Sequence, residues 1–142
     1  METANSLKIF LVDDDQFSLG IYEQYIRNLG YNDLQIFDNG TSCLNKLTDQ
    51  PDVIFLDHGM DILNGIEVLK KIKRFNPNIF VVFVSGQEDI QTAVNSLKYG
   101  AFDYIVKGQN DKERFQKVLT KILEVRELLK KKEKSFLQKI FS

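Results

Sequence analysis

Short apolar runs recur along the chain, separated by longer stretches of mixed polarity. The runs are rich in Val, Ile and Phe, which are among the residues that β-strands favour. One of them, VIFL at 53–56, contains no polar residue and is typical of a strand buried on both faces. We therefore predict five strands, at residues 7–12, 34–37, 53–56, 79–84 and 104–106.

The stretches between these runs place apolar residues three or four positions apart, as on one face of an amphipathic helix. Gly30, Asn76-Pro77 and Gly100 follow three of these stripes, and such residues commonly end helices. The five stripes consist of Phe17, Ile21, Tyr22, Tyr25, Ile26 and Leu29; Cys43, Leu44 and Leu47; Ile66, Leu69, Ile72 and Phe75; Ile90, Ala93, Val94 and Leu97; and Phe115, Val118, Leu119, Ile122 and Val125.

Strand and helix thus alternate five times, which predicts a parallel sheet covered by helices on both faces. Right-handed connections make such a sheet doubly wound. The commonest order for five strands of this kind is 2-1-3-4-5, the flavodoxin-like arrangement, with its switch point between the first and third strands. We therefore predict an α/β domain of this class.

Polar residues follow the predicted strands at their carboxyl ends, where sheets of this class bind ligands. Asp13 and Asp14 follow the first strand, Asp57 the third, Ser85 the fourth and Lys107 the fifth. Because the first and third strands are neighbours at the switch point, we expect the three aspartates to share one crevice.

Three carboxylates in one crevice repel each other, so a bound cation or protonation must relieve the repulsion. Oxygen ligands of this kind suit Mg²⁺. The Ser85 hydroxyl and the Lys107 ammonium add a hydrogen-bond donor and a positive charge, which together can hold a phosphoryl group. A carboxylate can itself be the nucleophile in phosphoryl transfer, and Asp57 is the most central of the three. The sequence contains neither a P-loop nor a dinucleotide-binding fingerprint.

The composition restricts the possible partners and location. The chain has 142 residues, the size of one domain, with 43% hydrophobic and 27% charged residues and a net charge of −1. This charge gives no general attraction to nucleic acid or membranes, and the longest purely apolar run has six residues. The N-terminal segment lacks the basic start of a signal peptide, and the single cysteine, Cys43, excludes an internal disulfide. We expect a cytoplasmic protein without a membrane span.

Four short motifs in this order resemble the receiver domain of bacterial response regulators. They are VDDD at 12–15, FLDHGM at 55–60 with Asn64-Gly65 after it, VSG at 84–86 and YIVKG at 104–108. The resemblance covers residues 6–126. Each motif alone is weak evidence, but four in register on a repeated strand-helix pattern are specific.

The resemblance implies a role for each of these residues. Asp57 would accept a phosphoryl group from a phosphohistidine, while Ser85 and Lys107 would bind the phosphoryl oxygens. Tyr104 would be the aromatic residue that changes rotamer on activation. The implied Mg²⁺ ligands are Asp14, Asp13, Asp57 and the backbone carbonyl of Gly59.

The same resemblance implies the partners and the type of activity. A sensor histidine kinase or a phosphotransfer protein would supply the phosphoryl group, in a transfer that the receiver catalyses on itself without being an enzyme in the usual sense. Autodephosphorylation would be slow. An output domain or a downstream protein would read the fourth helix, fifth strand and fifth helix, a face that also offers a possible homodimer contact.

Two positions depart from the family pattern, which has proline at both. Gly108 follows Lys107, so we expect a looser loop there. Asp61 follows the methionine of the third-strand motif and adds a fourth acid near the site. Neither change removes a reactive group.

Each candidate residue also has a structural interpretation. Asp57 alone could cap a turn, and Asp13 could contact a metal only through water. Asp15 fits a helix N-cap better than a metal ligand. His58 should point away from its neighbour Asp57, so we interpret it as an exposed loop histidine. Ordinary packing explains Tyr104 about as well as a switching role does.

Two other functions remain compatible with the same fold. A pseudo-receiver would signal through protein contacts without phosphate. A magnesium-dependent phosphatase with an aspartate nucleophile would typically carry a second aspartate two residues later, where this chain has Gly59. That glycine argues against substrate turnover.

The C-terminal segment differs in composition from the rest. We predict a receiver domain at 1–128 and a basic amphipathic tail at 129–142, LKKKEKSFLQKIFS. The tail is interpreted as a helical extension or as a linker from a longer protein, in preference to a membrane-surface helix. It is too short to be a DNA-binding domain.

Overall fold

The computed structural model describes residues 6–60, 64–86 and 90–141. Strands and helices alternate along these residues, with a short 3₁₀ helix at Leu47–Asp49 after the second helix. The elements are β1 (Ile9–Val12), α1 (Gln16–Asn28), β2 (Leu34–Phe37), α2 (Gly40–Leu44), β3 (Val53–Leu56), α3 (Gly65–Phe75), β4 (Phe80–Ser85), α4 (Ile90–Lys98), β5 (Asp103–Val106) and α5 (Asp111–Phe141).

The strands form one parallel sheet in the order β2-β1-β3-β4-β5, which confirms the predicted arrangement. In the register between β1 and β3, Val12 lies beside Leu56. That level of the sheet continues through Phe83 of β4 and Tyr104 of β5. Ser85 pairs with Val106 two residues further along, at the end of β4 and β5. The strands that precede the predicted site residues therefore end at one edge of the sheet.

Alternate residues of the central strands enter two separate cores, one on each face of the sheet. On one face, Leu11 and Phe55 pack in a buried cluster with residues of α1 and α5. On the other face, Phe10 and Ile54 pack with residues of α2 and α3. This arrangement explains why β1 and β3 are apolar at every position, since neither face of these strands meets solvent.

Side chains at the helix starts set where α1, α2 and α3 begin. Asp15, Asn39 and Asn64 are the N-caps, and each accepts a hydrogen bond from a backbone N–H of the first turn. The N-cap interpretation of Asp15 is thus confirmed. Asn39 and Gly40, which follow β2 closely, are the cap and the first residue of α2.

Some boundaries and faces differ from the prediction. β1 begins at Ile9 rather than residue 7, because the backbone N–H of Lys8 donates to the Asp52 carboxylate instead of to a neighbouring strand. The stripe on α4 does not face the core, since Ile90 is 81% exposed and Val94 and Leu97 are each 50% exposed. Helical spacing identifies an apolar face but not what covers it.

The last helix, α5, continues well past the sheet. Its residues Phe115, Val118, Leu119 and Ile122 are buried, whereas every residue from 127 to 141 is exposed. The helix passes residue 128 without a break, and the division into a domain and a tail at that position stays a prediction. Among the described residues, no helix is both long enough and apolar enough to cross a bilayer.

Candidate functional site

Asp13 and Asp57 lie side by side because their strands pair in register. The backbone N–H of Asp57 donates to the carbonyl of Val12 at 2.9 Å, which continues the ladder between β1 and β3 by one residue. On the other side, the N–H of Asp13 donates to the carbonyl of Phe37 at 3.1 Å. The two aspartates are therefore held by backbone hydrogen bonds at the edge where the strand order reverses.

The carboxylates of Asp13, Asp14 and Asp57 form a cluster, with one oxygen of each within 4.8 Å of the others. Asp13 and Asp57 are buried, at 2% and 7% exposure, whereas Asp14 is exposed. The cluster therefore has two acids on its inner side and one that faces solvent. Three oxygen donors with an open side fit a magnesium ion that keeps water ligands.

Lys107 reaches this cluster from the far strand. Its Nζ donates to Oδ2 of Asp13 at 2.8 Å and lies 3.7 Å from Oδ1 of Asp57. The backbone N–H of Lys107 donates to the carbonyl of Ser85 at 2.8 Å. The predicted nucleophile, two further acids and the predicted ammonium group thus lie together, and the end of β4 is tied to the same group of residues.

Burial and charge shift the pKa values of the central pair. Burial, followed by the negative charge of Asp13, raises the pKa of Asp57 to about 6, against the opposing effect of Lys107. Burial alone would lower the pKa of Lys107. The hydrogen bond to Asp13 and the charge of Asp57 outweigh that effect, so the pKa of Lys107 is raised and the ammonium stays charged at neutral pH.

Ser18 is a site residue that the sequence analysis did not identify. Its Oγ lies 3.4 Å from Nζ of Lys107 and donates to Oδ2 of Asp15 at 2.8 Å, and Ser18 is only 8% exposed. The available signal was its position three residues after the N-cap Asp15, which places it on the first turn of α1 above the same edge. The hydrogen bond from Ser18 is also the main reason why the pKa of Asp15 is lowered.

Ser85 and Tyr104 are both buried near this edge. Ser85, the last residue of β4, is 2% exposed. Tyr104 is 8% exposed, and its ring centroid lies 6.3 Å from that of Phe83 on the neighbouring strand. The structure places both residues next to the strand ends, while their roles in binding phosphate and in switching stay predictions.

His58 and Gly59 follow Asp57 in the loop after β3. His58 is half-buried rather than exposed, and its ring centroid lies 5.8 Å from that of Phe83, so it is held by packing. The backbone N–H of Gly59 hydrogen bonds to the Asp57 carboxylate and counteracts the rise in its pKa. The role of the Gly59 carbonyl as a metal ligand stays a prediction, and Asp61 lies outside the described residues.

The loop after Lys107 is held by side chains of α1 and α5. Gly108 has a φ of +81°, which lies in the left-handed region that favours glycine. Its N–H donates to Oδ2 of Asp111 at 2.9 Å, and the hydroxyl of Tyr22 donates to the same oxygen at 2.8 Å. A proline at position 108 could not make the first of these bonds. The glycine expected to loosen this loop therefore anchors it to α5.

Comparison with known proteins is consistent with this site. The family model described as "Response regulator receiver domain" matches residues 9–120. The transcriptional regulatory protein ZraR of Escherichia coli K12 is 34% identical over 122 residues, which cover 85% of this chain and 27% of ZraR. The chain thus spans about a quarter of the length of the curated relatives it matches.

Solved structures of single receiver domains give the same result. A CheY-like receiver domain protein from Methanospirillum hungatei JF-1 is similar with a TM-score of 0.76 and 28% identity, over 86% of this chain and 98% of that one. The receiver domain of NtrX from Brucella abortus is similar with a TM-score of 0.75 and 29% identity, over 82% of this chain and 98% of that one.

Proposed function

Because this chain belongs to the response regulator receiver domain family, we propose that it is a phosphorylation-dependent switch whose phosphoacceptor is Asp57. A sensor histidine kinase or a phosphotransfer protein supplies the phosphoryl group from a phosphohistidine. The observation that supports this proposal most directly is the position of the Lys107 ammonium, 2.8 Å from Asp13 and 3.7 Å from Asp57 at the edge of the sheet.

In the proposed step a carboxylate oxygen of Asp57 attacks phosphorus in line with the bond to the leaving nitrogen. The new bond joins that oxygen to phosphorus, and the bond between phosphorus and the histidine nitrogen of the donor breaks. Lys107 offsets the negative charge that develops on the phosphoryl oxygens, and Ser85 donates a hydrogen bond to them. The transfer needs no further group from the donor protein, so the receiver catalyses it on itself and does not turn over a substrate.

The acid cluster fits a magnesium ion by its chemistry. Asp14, Asp13, Asp57 and the carbonyl of Gly59 would hold it, and Asp14 offers the solvent-facing side. When bound, Mg²⁺ neutralises the mutual repulsion of the acids and lowers the barrier to bringing a phosphate anion next to them. Without that neutralisation, the buried carboxylates at this edge would repel a phosphoryl donor.

Phosphorylation adds about −1.5 to −2 charges at Asp57. The new oxygens compete with Asp13 for Lys107, and the end of β4 is tied to that lysine through the carbonyl of Ser85. A change at this contact is therefore passed to β4, β5 and the neighbouring Tyr104. We propose that this contact is the element whose two states the switch requires.

The face formed by α4, β5 and α5 is the proposed output surface. Ile90, Val94, Leu97 and Tyr99 on or next to α4 are all exposed, which suits binding to an output domain, a downstream protein or a second copy of the chain. Several relatives are named as transcriptional regulators, so we propose transcriptional control as the output pathway. The described segment itself is not proposed to bind nucleic acid.

Phosphorylation by acetyl phosphate tests the proposal. In the presence of Mg²⁺ the wild-type chain should gain one phosphoryl group, measured by intact mass, and should gain none when the metal is chelated. Asp57→Asn should abolish the gain, whereas Asp33→Asn, at an exposed position remote from the site, should leave it unchanged. Equal labelling of the Asp57 variant would refute the assignment. Normal folding without labelling would favour a pseudo-receiver.

A further inference from the structure

The exposed part of α5 repeats the apolar pattern of its buried part. Val118, Leu119 and Ile122 are buried against the sheet, and Phe136, Leu137 and Ile140 follow each of them by 18 residues. At 3.6 residues per turn this separation is five whole turns, so both sets lie on the same face of the helix. Leu129 lies on that face between them. We call Leu129, Phe136, Leu137 and Ile140 the α5 stripe.

The four side chains of the α5 stripe are largely exposed to solvent. Leu129 is 56% exposed, Phe136 61%, Leu137 45% and Ile140 54%. Nothing in the sequence of α5 bends this face away, since residues 111–141 contain neither glycine nor proline. A row of four large apolar side chains on one face of a helix is typical of a surface that binds another helix.

The charges beside the α5 stripe indicate the chemistry of its partner. Residues 129–141 contain five lysines and one glutamate. Lys130 and Lys134 lie along one side of the stripe, and Lys132 and Lys139 lie along the other. The single acid, Glu133, lies on the stripe itself and cannot neutralise both rows. The surface is thus apolar along its centre except at Glu133, and it is basic on both sides.

These charges disfavour a second copy of the chain as the partner. If two copies paired through this stripe in parallel, the side with Lys130 and Lys134 would face the side with Lys132 and Lys139 of the second copy. If they paired antiparallel, each side would face the same side of the second copy. Both arrangements place lysines opposite lysines. Like charges across a helix pair are destabilising, so self-association through the stripe is opposed in either direction.

The position of the sheet disfavours a flat lipid bilayer. The stripe continues the face of α5 that packs on the sheet, so the body of the domain projects on the same side as the stripe. A plane parallel to the helix axis and in contact with Phe136 and Ile140 would therefore meet that body. A single helix is narrow enough, at about 10 Å across, to lie along the stripe and end at the foot of the sheet.

A concave surface lies where such a helix would end. Leu129 lines a pocket of about 260 Å³, together with Ile79 and Phe80 at the start of β4 and Arg126 on α5. Asn76 and Asn78 supply amide groups to the same pocket. The pocket extends the stripe toward the domain and offers hydrogen-bonding groups to the end of a helix.

We propose that the α5 stripe and this pocket bind an acidic amphipathic helix of another protein, with apolar residues against the stripe and glutamates or aspartates against the lysines. This interaction does not depend on phosphorylation of Asp57. Its failure would therefore leave the proposed phosphoryl transfer unaffected.

A designed peptide tests the proposal with the chain of 142 residues. The probe is a labelled peptide of about 21 residues, with leucine at the a and d positions and glutamate at e and g. A matched peptide carries lysine at e and g. Fluorescence anisotropy should show that the chain binds the glutamate peptide at least about tenfold more tightly than the lysine peptide, with an affinity that falls as salt rises.

Two double variants locate the binding surface. Phe136→Ser with Ile140→Ser should weaken binding of the glutamate peptide at least about tenfold, because it removes apolar contact from the stripe. Ser135→Ala with Gln138→Ala, on the opposite face, should leave the affinity unchanged. Circular dichroism of both variants shows whether α5 remains helical.

Three results would overturn the proposal. The first is equal binding of the two peptides, or equal binding by the two double variants. The second is dimerisation of the chain alone in sedimentation, lost in the stripe variant, which would make a second copy the partner. The third is co-sedimentation with vesicles of phosphatidylserine and phosphatidylcholine that depends on the stripe.

Discussion

The ammonium group of Lys107 is hydrogen bonded to Asp13 at 2.8 Å, although the two residues are separated by 94 positions in sequence. Asp57 lies on the other side of the same ammonium, at 3.7 Å. The lysine is therefore shared between the proposed metal-binding acids and the proposed phosphoacceptor. A change in the charge of Asp57 therefore alters how strongly Asp13 holds the ammonium group of Lys107, and the reverse is also true.

We expect Asp57→Asn to stabilise the chain when divalent ions are absent. Burial and the nearby Asp13 raise the pKa of Asp57 to about 6, so its ionised form costs free energy in the folded state at neutral pH. The folded state holds this proton more tightly than the unfolded chain, so the wild type loses stability as pH rises from about 4 to about 6. At pH 7 with EDTA the variant should be more stable by about 1–3 kcal/mol, measured by urea unfolding.

The same unfolding experiment with Mg²⁺ in place of EDTA is the matched comparison for Asp57→Asn. Saturating Mg²⁺ should raise the unfolding midpoint of the wild type, because a ligand that binds only the folded state stabilises it. Asp14→Asn should reduce that increase. A variant at Asp57 that is less stable than the wild type with EDTA would show that the carboxylate is stabilising where it lies.

Ser18 is expected to position Lys107. Ser18→Ala removes the oxygen that lies 3.4 Å from the ammonium, and Ser18→Thr keeps a hydroxyl there. We expect the alanine variant to accept phosphate from acetyl phosphate several-fold more slowly at saturating donor, because the ammonium is held less firmly between the two acids. The threonine variant should recover most of the rate. Equal slowing in both variants would indicate a packing defect instead.

The strand order and the identity of the central site residues could be predicted because one rule connects them. Carboxyl ends of parallel strands meet at one edge, so the residues after β1, β3 and β5 had to approach each other once the order was known. This rule located Asp13, Asp57 and Lys107 without any knowledge of side-chain contacts.

The rule contains no information on contacts made by helices. Ser18 enters the site from the first turn of α1, and its approach depends on how that helix packs over the sheet. The exposure of Ile90 and Val94 could not be predicted from the hydrophobic pattern either. A stripe that faces a partner has the same spacing as one that faces the core. The hydrogen bond from Gly108 to Asp111 depends on the conformation of the loop between them. The sequence predicted only that this loop would be looser and gave no conformation for it.

Gly65 is expected to tolerate no side chain. A Cβ atom at this position would lie 2.5 Å from a ring carbon of Phe83, 2.8 Å from the Cα of His58 and 3.0 Å from the carbonyl oxygen of Asp57. Two of these contacts are with backbone, which cannot move aside without shifting the proposed phosphoacceptor. Gly65→Ala should therefore lower the free energy of unfolding by about 1–3 kcal/mol and slow phosphoryl acceptance.

Gly20 provides the control for that substitution. It lies within α1, and a Cβ added there would meet nothing within 4 Å. Gly20→Ala should raise the free energy of unfolding by about 0.5–1 kcal/mol, because alanine favours the helix and loses less conformational entropy on folding. Equal effects of the two substitutions would mean that the close approach at Gly65 is relieved at little cost.

The contact between Tyr22 and Asp111 should make stability depend on pH in the acid range. Burial alone would raise the pKa of Asp111, but hydrogen bonds from the N–H of Gly108 and the hydroxyl of Tyr22 outweigh it, so the pKa is lowered. The folded state therefore holds this proton less tightly than the unfolded chain. The stabilisation that these hydrogen bonds give to ionised Asp111 is present above the pKa of the unfolded chain, near 4. It is lost as the pH falls through the pKa of the folded state.

Asp111→Asn should be less stable than the wild type by about 1 kcal/mol at pH 7, and urea unfolding should show that this difference shrinks as the pH is lowered below about 4. Tyr22→Phe, which removes one donor and keeps the ring stacked on Phe115, should reproduce part of the loss at pH 7. A difference between Asp111→Asn and the wild type that does not change as the pH falls from 7 through the acid unfolding range would mean that the charge of Asp111 contributes nothing and that the asparagine only disturbs packing.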